Sequence, residues 1–475
     1  MFSIKVCTRV HTCFVYLFWR YLVINSGTKK RALKHGLLCL SLSYAGLATA
    51  ANYEISVVAG GAGPNDHYRT DAIEMAADIL MKEADAAGEE LSITVKKRNY
   101  SDWDSFKQAV TLASESGSAP DIVVTSHTDI APWAQSGLIT PVEDYIDLDS
   151  WPLNGLYPNL IQISSFNGMV YGIPQDSEAR PFFAWKKHLK ALGYDESAIE
   201  VMPDRIESGE YTLYNMLDDA KKAQDLGLVE KGYGFYPRVT NGPDFWQFYT
   251  SFGGKLEDPE TGRLILDKTA LEKTYQFFID AVEKGVTRRN HLGTPWDQWY
   301  AEVANGKAAF WHGGTWHYSR YTEAEGLDDF FGNIQFSLIP KGAENGKANT
   351  LTQPLVYLLT NQDNEDKMDV AAKLIKIASE PRINTLHAIK SSHLGINPEQ
   401  MNISLYSNDR WSVEATKRLL PHANSMPNNA DFGSFWNIYW KGLEASWTGQ
   451  KTAKQAVADA ETEIRGTLAG NVIVL

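Results

Sequence analysis

Residues 426–464, MPNNADFGSFWNIYWKGLEASWTGQKTAKQAVADAETEI, combine a turn, an aromatic cluster and an amphipathic helix. Thr452 is a suitable N-cap, and Gln455 three residues later completes a capping box. An apolar stripe follows at helical spacing, and its members are Val457, Ala460, Ile464 and Leu468. Gly470 is suited to end the helix. The pattern predicts a terminal helix docked on the body of the protein.

The aromatic cluster before this helix has more ring area than a short helix needs in order to fold. Its members are Phe435, Trp436, Tyr439, Trp440 and Trp447. Some of these rings are therefore expected to face a cavity, with core packing as the alternative.

Several short motifs occur in a fixed order along the chain. They are PDIVV at 120–124, GMVYGIP at 168–174, NGKAAF at 305–310, GTW at 314–316, and MPN at 426–428 with the Phe435-Trp436 pair. In this order they resemble the extracellular solute-binding proteins that serve sugar importers, the group that includes maltose-binding protein. The resemblance implies an α/β, two-lobed periplasmic-binding-protein fold of type II. In that fold the ligand cleft lies between lobes joined by hinge crossings.

The periodicity of the chain independently favours two α/β units. Strands over 54–58 and 91–98 flank a helix over 70–86, and a helix over 102–115 precedes a strand over 122–124. This alternation predicts a parallel sheet whose ligands bind beyond the carboxyl ends of the strands.

The alternation restarts after residue 180. Helices are predicted over 211–226, 271–283 and 296–304, and strands over 232–235 and 307–311. A buried strand over 355–359 is expected to return to the first lobe. A chain of 475 residues is too long for one compact core. We expect lobe 1 to comprise residues 51–175 plus about 355–398, and lobe 2 residues 180–354 plus about 399–475.

The amino terminus reads as a secretory signal. Lys29-Lys30-Arg31 precedes an apolar run over 37–47 and then Ala48-Thr49-Ala50, which predicts cleavage after Ala50. Residues 1–28 are interpreted as a start-site extension, with a retained anchor as the alternative. All three cysteines lie before residue 51, so the remainder has no thiol, disulfide or cysteine-based metal site. The predicted location is the periplasm.

Charge limits the classes of partner. Residues 1–50 hold seven of the 45 basic residues and none of the 58 acidic ones, so the rest of the chain has a net charge near −20. Nucleic-acid binding relies on a basic face, and this balance disfavours it.

Polar residues in loops at strand ends are the first set of candidate ligand-binding residues. Gly61 and Asn65 follow the first strand, and Ser126 and His127 follow the strand over 122–124. Glycine in such a loop lets a ligand approach the backbone. The residues Asp176, Glu178 and Arg180 lie just beyond Pro174.

The resemblance places a ligand-contacting carboxylate at the position of Glu178. Carboxylates accept paired hydroxyl hydrogen bonds and arginine supplies planar donors, which suits a polyol. A local ion pair bracing the hinge is the alternative.

Aromatic rings and one glycine complete the predicted site, and these residues are Tyr236, Trp246, Trp311, Gly314, Trp316 and Trp436. Their loops are far apart in sequence and would converge only at a cleft. Trp316 and Trp436 occupy aromatic positions of the family that the chain resembles. An indole face covering a sugar ring removes apolar surface from water, which makes these two residues the strongest stacking candidates.

The sequence thus predicts a non-enzymatic binding protein that captures a di- or oligosaccharide and delivers it to the permease subunits of an ABC importer. The protein is expected to be a monomer without a cofactor. An anionic polyol, such as a sugar phosphate, glycerol phosphate or uronate, is the alternative ligand. A glycoside hydrolase is a remote alternative because Asp176 and Glu178 are paired carboxylates.

Metal binding is disfavoured by the histidine spacing. Neither His312 with His317 nor His387 with His393 has the i, i+4 spacing of a zinc pair on one helix, and the chain beyond the leader offers no cysteine partner.

Overall fold

A computed structural model describes residues 51–61 and 68–475. The predicted leader and Asn65 lie outside the described residues. No helix within the described ranges has both the length and the hydrophobicity that a membrane crossing needs.

The first lobe is built on a six-stranded sheet in which Ala51–Gly60 lies between Leu91–Tyr100 and Ile122–Ser126, parallel to both. The helix Tyr68–Ala87 connects the first two of these strands and buries Ile73 and Ala76 against them. This confirms the predicted β-α-β beginning. The strand Ile122–Ser126 is buried along its whole length, as its continuous apolar run requires.

The strand Leu355–Thr360 returns to this sheet from late in the chain, as predicted. It pairs antiparallel with Ile122–Ser126 on one side and with Gly172–Pro174 and Ile139–Thr140 on the other. All six of its residues are buried, because both faces of the sheet are covered.

The second lobe has a smaller sheet and a larger aromatic core. Phe182–Trp185 is its central strand, flanked antiparallel by Phe310–His312 and Ile334–Ser337. The predicted strand over 232–235 is wrong in extent: only isolated bridges form there, from Tyr233 to Thr287 and from Phe235 to Phe310. The backbone of this segment makes only a few hydrogen bonds to each of two neighbours: Phe235 N donates to Val286 O (3.0 Å), and Tyr236 N donates to Phe310 O (2.8 Å). The segment also lies close to a helix at Gly234, where a Cβ would come within 2.8 Å of the carbonyl oxygen of Ala220.

Two large hydrophobic cores correspond to these two sheets. One gathers apolar residues from Ile55 to Ile173 and from Leu355 to Ile396. The other runs from Ala179 to Leu351 and from Leu394 to Val472. The fold is therefore a two-lobed α/β structure.

Three chain segments run between the cores, and we call residues 174–180, 350–355 and 392–397 the hinge region. Gln175 N donates to Leu355 O (2.8 Å), and Ser177 and Leu394 exchange two backbone hydrogen bonds of 2.9 and 2.7 Å. The segment 174–180 is thus hydrogen-bonded to each of the other two.

The remaining elements complete the described chain. The other strands are Ser165–Phe166, Met169–Val170, Leu264–Leu266, Thr350–Thr352, Ala423–Ser425 and Val472–Val474. The other α-helices are Trp103–Glu115, Ile130–Gln135, Pro158–Ile163, Lys186–Leu192, Glu196–Glu200, Met202–Glu207, Leu213–Asp225, Trp246–Ser251, Lys268–Glu283, Trp296–Ala304, His317–Ser319, Phe330–Asn333, Glu365–Ala378, Pro381–Ser391, Ser404–Ser407, Arg410–Leu419, Phe432–Trp447 and Ala453–Thr467.

The terminal helix Ala453–Thr467 confirms the prediction for residues 452–468. Thr452 Oγ1 accepts from Gln455 N (3.3 Å), and Gln455 Oε1 accepts from Thr452 N (3.0 Å). Val457, Ala460 and Ile464 are buried in the second core. The helix docks by the face that the sequence pattern indicated.

We expect Thr452→Ala to lower the free energy of unfolding by about 1 kcal/mol, because the Gln455 N–H loses its side-chain acceptor. Chemical denaturation monitored by circular dichroism measures the change. Thr462→Ala is the matched control, since Thr462 is exposed and its hydroxyl donates to Ala458 O within the helix (2.8 Å). Equal loss in both variants would contradict the capping role.

Candidate functional site

Trp316 connects the second lobe to the hinge region. It follows the strand Phe310–His312, and its ring stacks on His393 with centroids 5.5 Å apart and an interplanar angle of 16°. The Arg180 guanidinium carbon lies 5.1 Å from the centroid of the same ring. A Cβ on Gly314 would lie 2.2 Å from the Trp316 ring, so only glycine allows the indole to lie over this turn. Trp316 is partly buried and lies where residues of two crossings meet.

Glu178 and Arg180 begin a buried ion network. Arg180 Nη1 pairs with Glu178 Oε1, and Arg180 Nε lies 3.4 Å from Asp244 Oδ2. The same Asp244 oxygen accepts from Arg238 Nη1 at 2.7 Å. Gln353 N also donates to Glu178 Oε1 (3.0 Å). The network therefore links two hinge crossings to the loop that carries Arg238 and Asp244.

Burial raises the pKa of both carboxylates of this network and the arginines lower it, but the balance differs between the two. Burial raises the pKa of Glu178 to about 7, although Arg180 opposes the shift. Burial acts in the same sense on Asp244, but Arg238 and Arg180 outweigh it and hold the Asp244 pKa well below its ordinary value. Asp244 thus stays ionised, while Glu178 titrates near neutrality.

Glu178→Gln is expected to remove one pH-dependent contribution to stability. The folded-state pKa of Glu178 lies above its ordinary value of 4.5. The native state therefore binds more protons than the unfolded state between pH 4.5 and about 7. The contribution of Glu178 to the free energy of unfolding falls as the pH rises through that window. Over the whole window the contribution of Glu178 to the free energy of unfolding falls by about 1 to 3 kcal/mol.

The measurement is the free energy of unfolding of wild type minus that of Glu178→Gln as a function of pH. The subtraction matters because burial lowers the pKa of His312 to about 4, which makes wild-type stability rise with pH in the same range. A difference that stays flat between pH 4.5 and 7 would contradict the shifted pKa of Glu178.

Ser126 and His127 lie at the carboxyl end of their strand, as predicted, and both are engaged by protein groups. His127 Nε2 is 2.8 Å from Met426 O, and Gln353 Nε2 donates to Ser126 Oγ (2.8 Å). Burial lowers the pKa of His127, so its ring is neutral. In this conformation His127 joins the first lobe to the MPN turn.

The MPN turn makes a second contact across the lobes. Asn428 Oδ1 accepts from Ala131 N (2.9 Å), and Asn428 Nδ2 donates to Ser165 O (2.9 Å). The MPN motif was visible in the sequence, but its docking on the first lobe was not. The contacts of His127 and Asn428 hold the two lobes together along one side of the hinge region.

Three of the predicted stacking residues are instead core residues. Trp246 is 1% exposed and stacks on Tyr439 (3.9 Å) and Phe435 (5.4 Å). Trp311 is buried, stacks on Phe183 (5.4 Å) and donates to Tyr321 Oη (3.0 Å).

Tyr236 is likewise buried, stacks on Tyr233 (4.9 Å) and donates to Glu302. Because other rings cover these three side chains, they offer no free face to a ligand in this structure, and we leave them out of the proposed site.

Trp436 is partly buried, and its Nε1 donates to Asn241 Oδ1 (2.7 Å). Asn241 lies between Arg238 and Asp244 in the chain, so this hydrogen bond joins Trp436 to the segment that carries those two residues. Of the aromatic cluster around it, Phe435, Tyr439 and Trp447 are core residues.

The remaining predicted positions lie at the first lobe and hinge. Gly61 is buried with a φ of 144°, and its N–H donates to Tyr100 O (2.9 Å). Asp176 is fully buried; its Oδ1 accepts from Leu355 N (3.0 Å), and its Oδ2 faces His387 and His393. Sequence reasoning missed Gln353, Asp244 and His393, because their partners lie on other crossings.

Comparison with known proteins agrees with this architecture. Residues 77–384 match the family model described as bacterial extracellular solute-binding protein. The chain is 20% identical over 333 residues to a maltotriose-binding protein of Pyrococcus abyssi, a match that covers 70% of this chain and 66% of that protein. The chain thus spans just under two thirds of that relative's length.

Solved structures show the same fold. Maltose-bound MalE3 of T. maritima superposes with a TM-score of 0.69 at 17% identity, over 88% of this chain and all of that one. The maltotriose-bound MalE domain of Bdellovibrio bacteriovorus gives 0.67 at 18% identity, with the same coverage of both chains. The GacH receptor of Streptomyces glaucescens gives 0.69 at 15%, over 88% and 99%. The matched motifs, the two-lobed fold and the family model agree, and the chain belongs to the bacterial extracellular solute-binding protein family.

Proposed function

We propose that this protein binds a neutral di- or oligosaccharide between its two lobes and delivers it to an ABC importer. The observation that carries the proposal is the position of Trp316 at the hinge region, where its indole lies beside Arg180, the ion-pair partner of Glu178. An indole face next to a carboxylate and a guanidinium supplies stacking area and paired hydrogen-bonding groups, the combination that a sugar ring uses.

Ligand binding is proposed to exchange protein contacts for sugar contacts. In the structure, His393 stacks on the Trp316 ring and Arg180 lies near it. Opening of the lobes would separate some of these groups, and a sugar would take their place when the lobes close. A ligand that contacts both lobes favours the closed arrangement, which is the form presented to the permease.

The charges at the site favour a neutral ligand over a phosphate or uronate. Arg180 and Arg238 are the cationic groups of the ion network, and both are paired with Asp244. Arg180 also has Glu178 as a partner. An anionic ligand would have to displace these carboxylates at a cost in buried charge, whereas hydroxyl groups can share them.

The names of the relatives support the choice of ligand class. The relative from Pyrococcus abyssi is a maltotriose-binding protein, and the T. maritima and Bdellovibrio bacteriovorus structures hold maltose and maltotriose. Stacking on one or two rings together with hydrogen bonds would reach micromolar affinity, about −8 kcal/mol. Maltotriose is therefore the first ligand to test.

The remaining features of the proposal follow from the family. The protein would act outside the cytoplasm, in the periplasm, as a monomer and without a catalytic step, after removal of the leader at Ala50. The lobes would have the boundaries predicted above, 51–175 with about 355–398, and 180–354 with about 399–475.

A thermal-shift screen tests the proposal. The secreted protein is heated with maltose, maltotriose, longer oligosaccharides, sugar phosphates and uronates in parallel. Neutral oligosaccharides are expected to raise the Tm, since a ligand that binds only the native state stabilises it. A shift confined to the anionic sugars would favour the alternative ligand class, and release of shorter sugars from an oligosaccharide would indicate hydrolysis.

A further inference from the structure

Asp176, His387 and His393 form a buried cluster of metal-binding side chains at the hinge region. One ligand atom from each lies within 4.8 Å of the other two, and all three residues are buried. His387 Nε2 is 3.6 Å from Asp176 Oδ2, and His393 Nε2 is 4.0 Å from the same oxygen.

The facing atoms lack other partners. Asp176 Oδ2 and His387 Nε2 are buried without a hydrogen-bond partner among the described residues. Buried polar atoms are normally satisfied, so an unpartnered carboxylate oxygen facing an unpartnered imidazole nitrogen requires an explanation. A cation between them would satisfy both atoms.

Surrounding contacts orient two of the three ligands. Asp176 Oδ1 accepts from Leu355 N (3.0 Å), which leaves Oδ2 turned toward the histidines. His387 Nδ1 lies 3.3 Å from Tyr68 O. A carbonyl can only accept, so Nδ1 carries the proton and the Nε2 lone pair points at Asp176. This arrangement, in which a backbone carbonyl fixes the tautomer of a histidine, is typical of metal ligands.

The chain geometry explains why the residue spacing did not predict this cluster. His387 lies in the helix Pro381–Ser391, and Ser392 follows with a φ of 55°, in the left-handed region. This residue reverses the chain and brings His393 back beside His387, with ring centroids 6.1 Å apart. The i, i+4 rule applies only to two ligands on one continuous helix.

We propose that Asp176, His387 and His393 bind a divalent metal ion of the zinc class. Bonds of about 2.0–2.1 Å to a tetrahedral ion place ligand atoms about 3.3 Å apart, whereas the ligand atoms here lie within 4.8 Å of one another, so the cluster needs to contract by at most about 1.5 Å. Two imidazoles and one carboxylate suit zinc and other late transition metals better than Mg²⁺ or Ca²⁺, which prefer oxygen ligands.

Such a metal would lie where the hinge segments meet. Asp176 is on the crossing at 174–180, His393 is on the crossing at 392–397, and Leu355, which donates to Asp176, ends the third. Trp316 stacks on His393 from the other side. The metal would therefore fix the ring on which the proposed sugar-stacking indole rests.

The test is a calorimetric titration of the chelator-treated, secreted protein with Zn²⁺. Wild type is expected to bind one equivalent, and Asp176→Asn and His393→Gln should each weaken binding by more than about 100-fold, since they remove a direct ligand. His422→Gln is the matched control, because His422 is partly exposed and pairs with Glu207 (3.3 Å) away from the cluster. Mg²⁺ should give no saturable heat.

A second measurement does not depend on the variants folding. Crystals of wild type soaked with Zn²⁺ are expected to give an anomalous scattering peak between Asp176, His387 and His393. Any one of three results would overturn the proposal. Wild type could fail to bind Zn²⁺ one-to-one, the folded ligand variants could bind Zn²⁺ as tightly as wild type, or the anomalous peak could lie only at other sites. Binding of maltotriose is measured separately, so a negative result for the metal site would not contradict the proposed sugar site.

Discussion

Replacing Arg180 with methionine is expected to lower the free energy of unfolding by about 3–5 kcal/mol. The guanidinium is 5% exposed and lies between two carboxylates, those of Glu178 and Asp244. Methionine keeps much of the volume but leaves Glu178 without its cation and Asp244 with Arg238 alone. Uncompensated buried charge is costly because the protein interior cannot replace the water that the ion has lost, and the loss is largest above pH 7, where Glu178 is ionised.

The prediction is checked by urea denaturation of Arg180→Met beside two further variants. The double variant Arg180→Met with Glu178→Gln should recover part of the loss, because it removes the acid left without a partner. Arg418→Met is the matched control, since Arg418 is 43% exposed and lies 3.9 Å from an exposed Asp204, a pair that contributes little. A loss in the free energy of unfolding that is as small in Arg180→Met as in Arg418→Met would contradict the stabilising role of the ion network.

The second large effect is expected on binding: Trp316→Ala should weaken maltotriose affinity tenfold or more. Loss of a stacking indole removes about 2 to 3 kcal/mol of apolar burial before ordering costs. The indole also contacts His393 and Arg180, so its removal loosens the groups that surround the proposed sugar.

Isothermal titration calorimetry of Trp316→Ala and Trp151→Ala separates this effect from a general loss of aromatic surface. Trp151 is 55% exposed and lies in the first lobe, so its removal should leave the affinity unchanged. Thermal unfolding of both variants without ligand reports on the fold. Unchanged maltotriose affinity in a folded Trp316→Ala would exclude the proposed stacking role.

Local signals in the sequence sufficed for several elements of the fold. The capping box at Thr452 and the apolar run over 355–359 each determine their element from a few neighbouring residues, and both are confirmed. The prediction of a strand over 232–235 failed because β-pairing depends on distant partners, and here it is limited to single bridges with Thr287 and Phe310.

The site was less accessible from sequence because its contacts join distant residues. Arg180 meets Asp244, and Trp316 meets His393, across many intervening residues. Trp246 shows the converse difficulty: its place after a loop suggested a ligand platform, but Tyr439 and Phe435 cover it. Sequence identifies which rings are available, whereas burial decides which of them keep a free face.

Titration of the wild-type protein with maltotriose, at low and high salt, tests the central proposal most directly. The account predicts saturable one-to-one binding in the micromolar range or tighter, with little change on adding salt, because the ligand is neutral. The proposal of a neutral ligand would be contradicted if neither maltotriose nor any other neutral oligosaccharide bound, while a sugar phosphate or uronate bound in a salt-sensitive way.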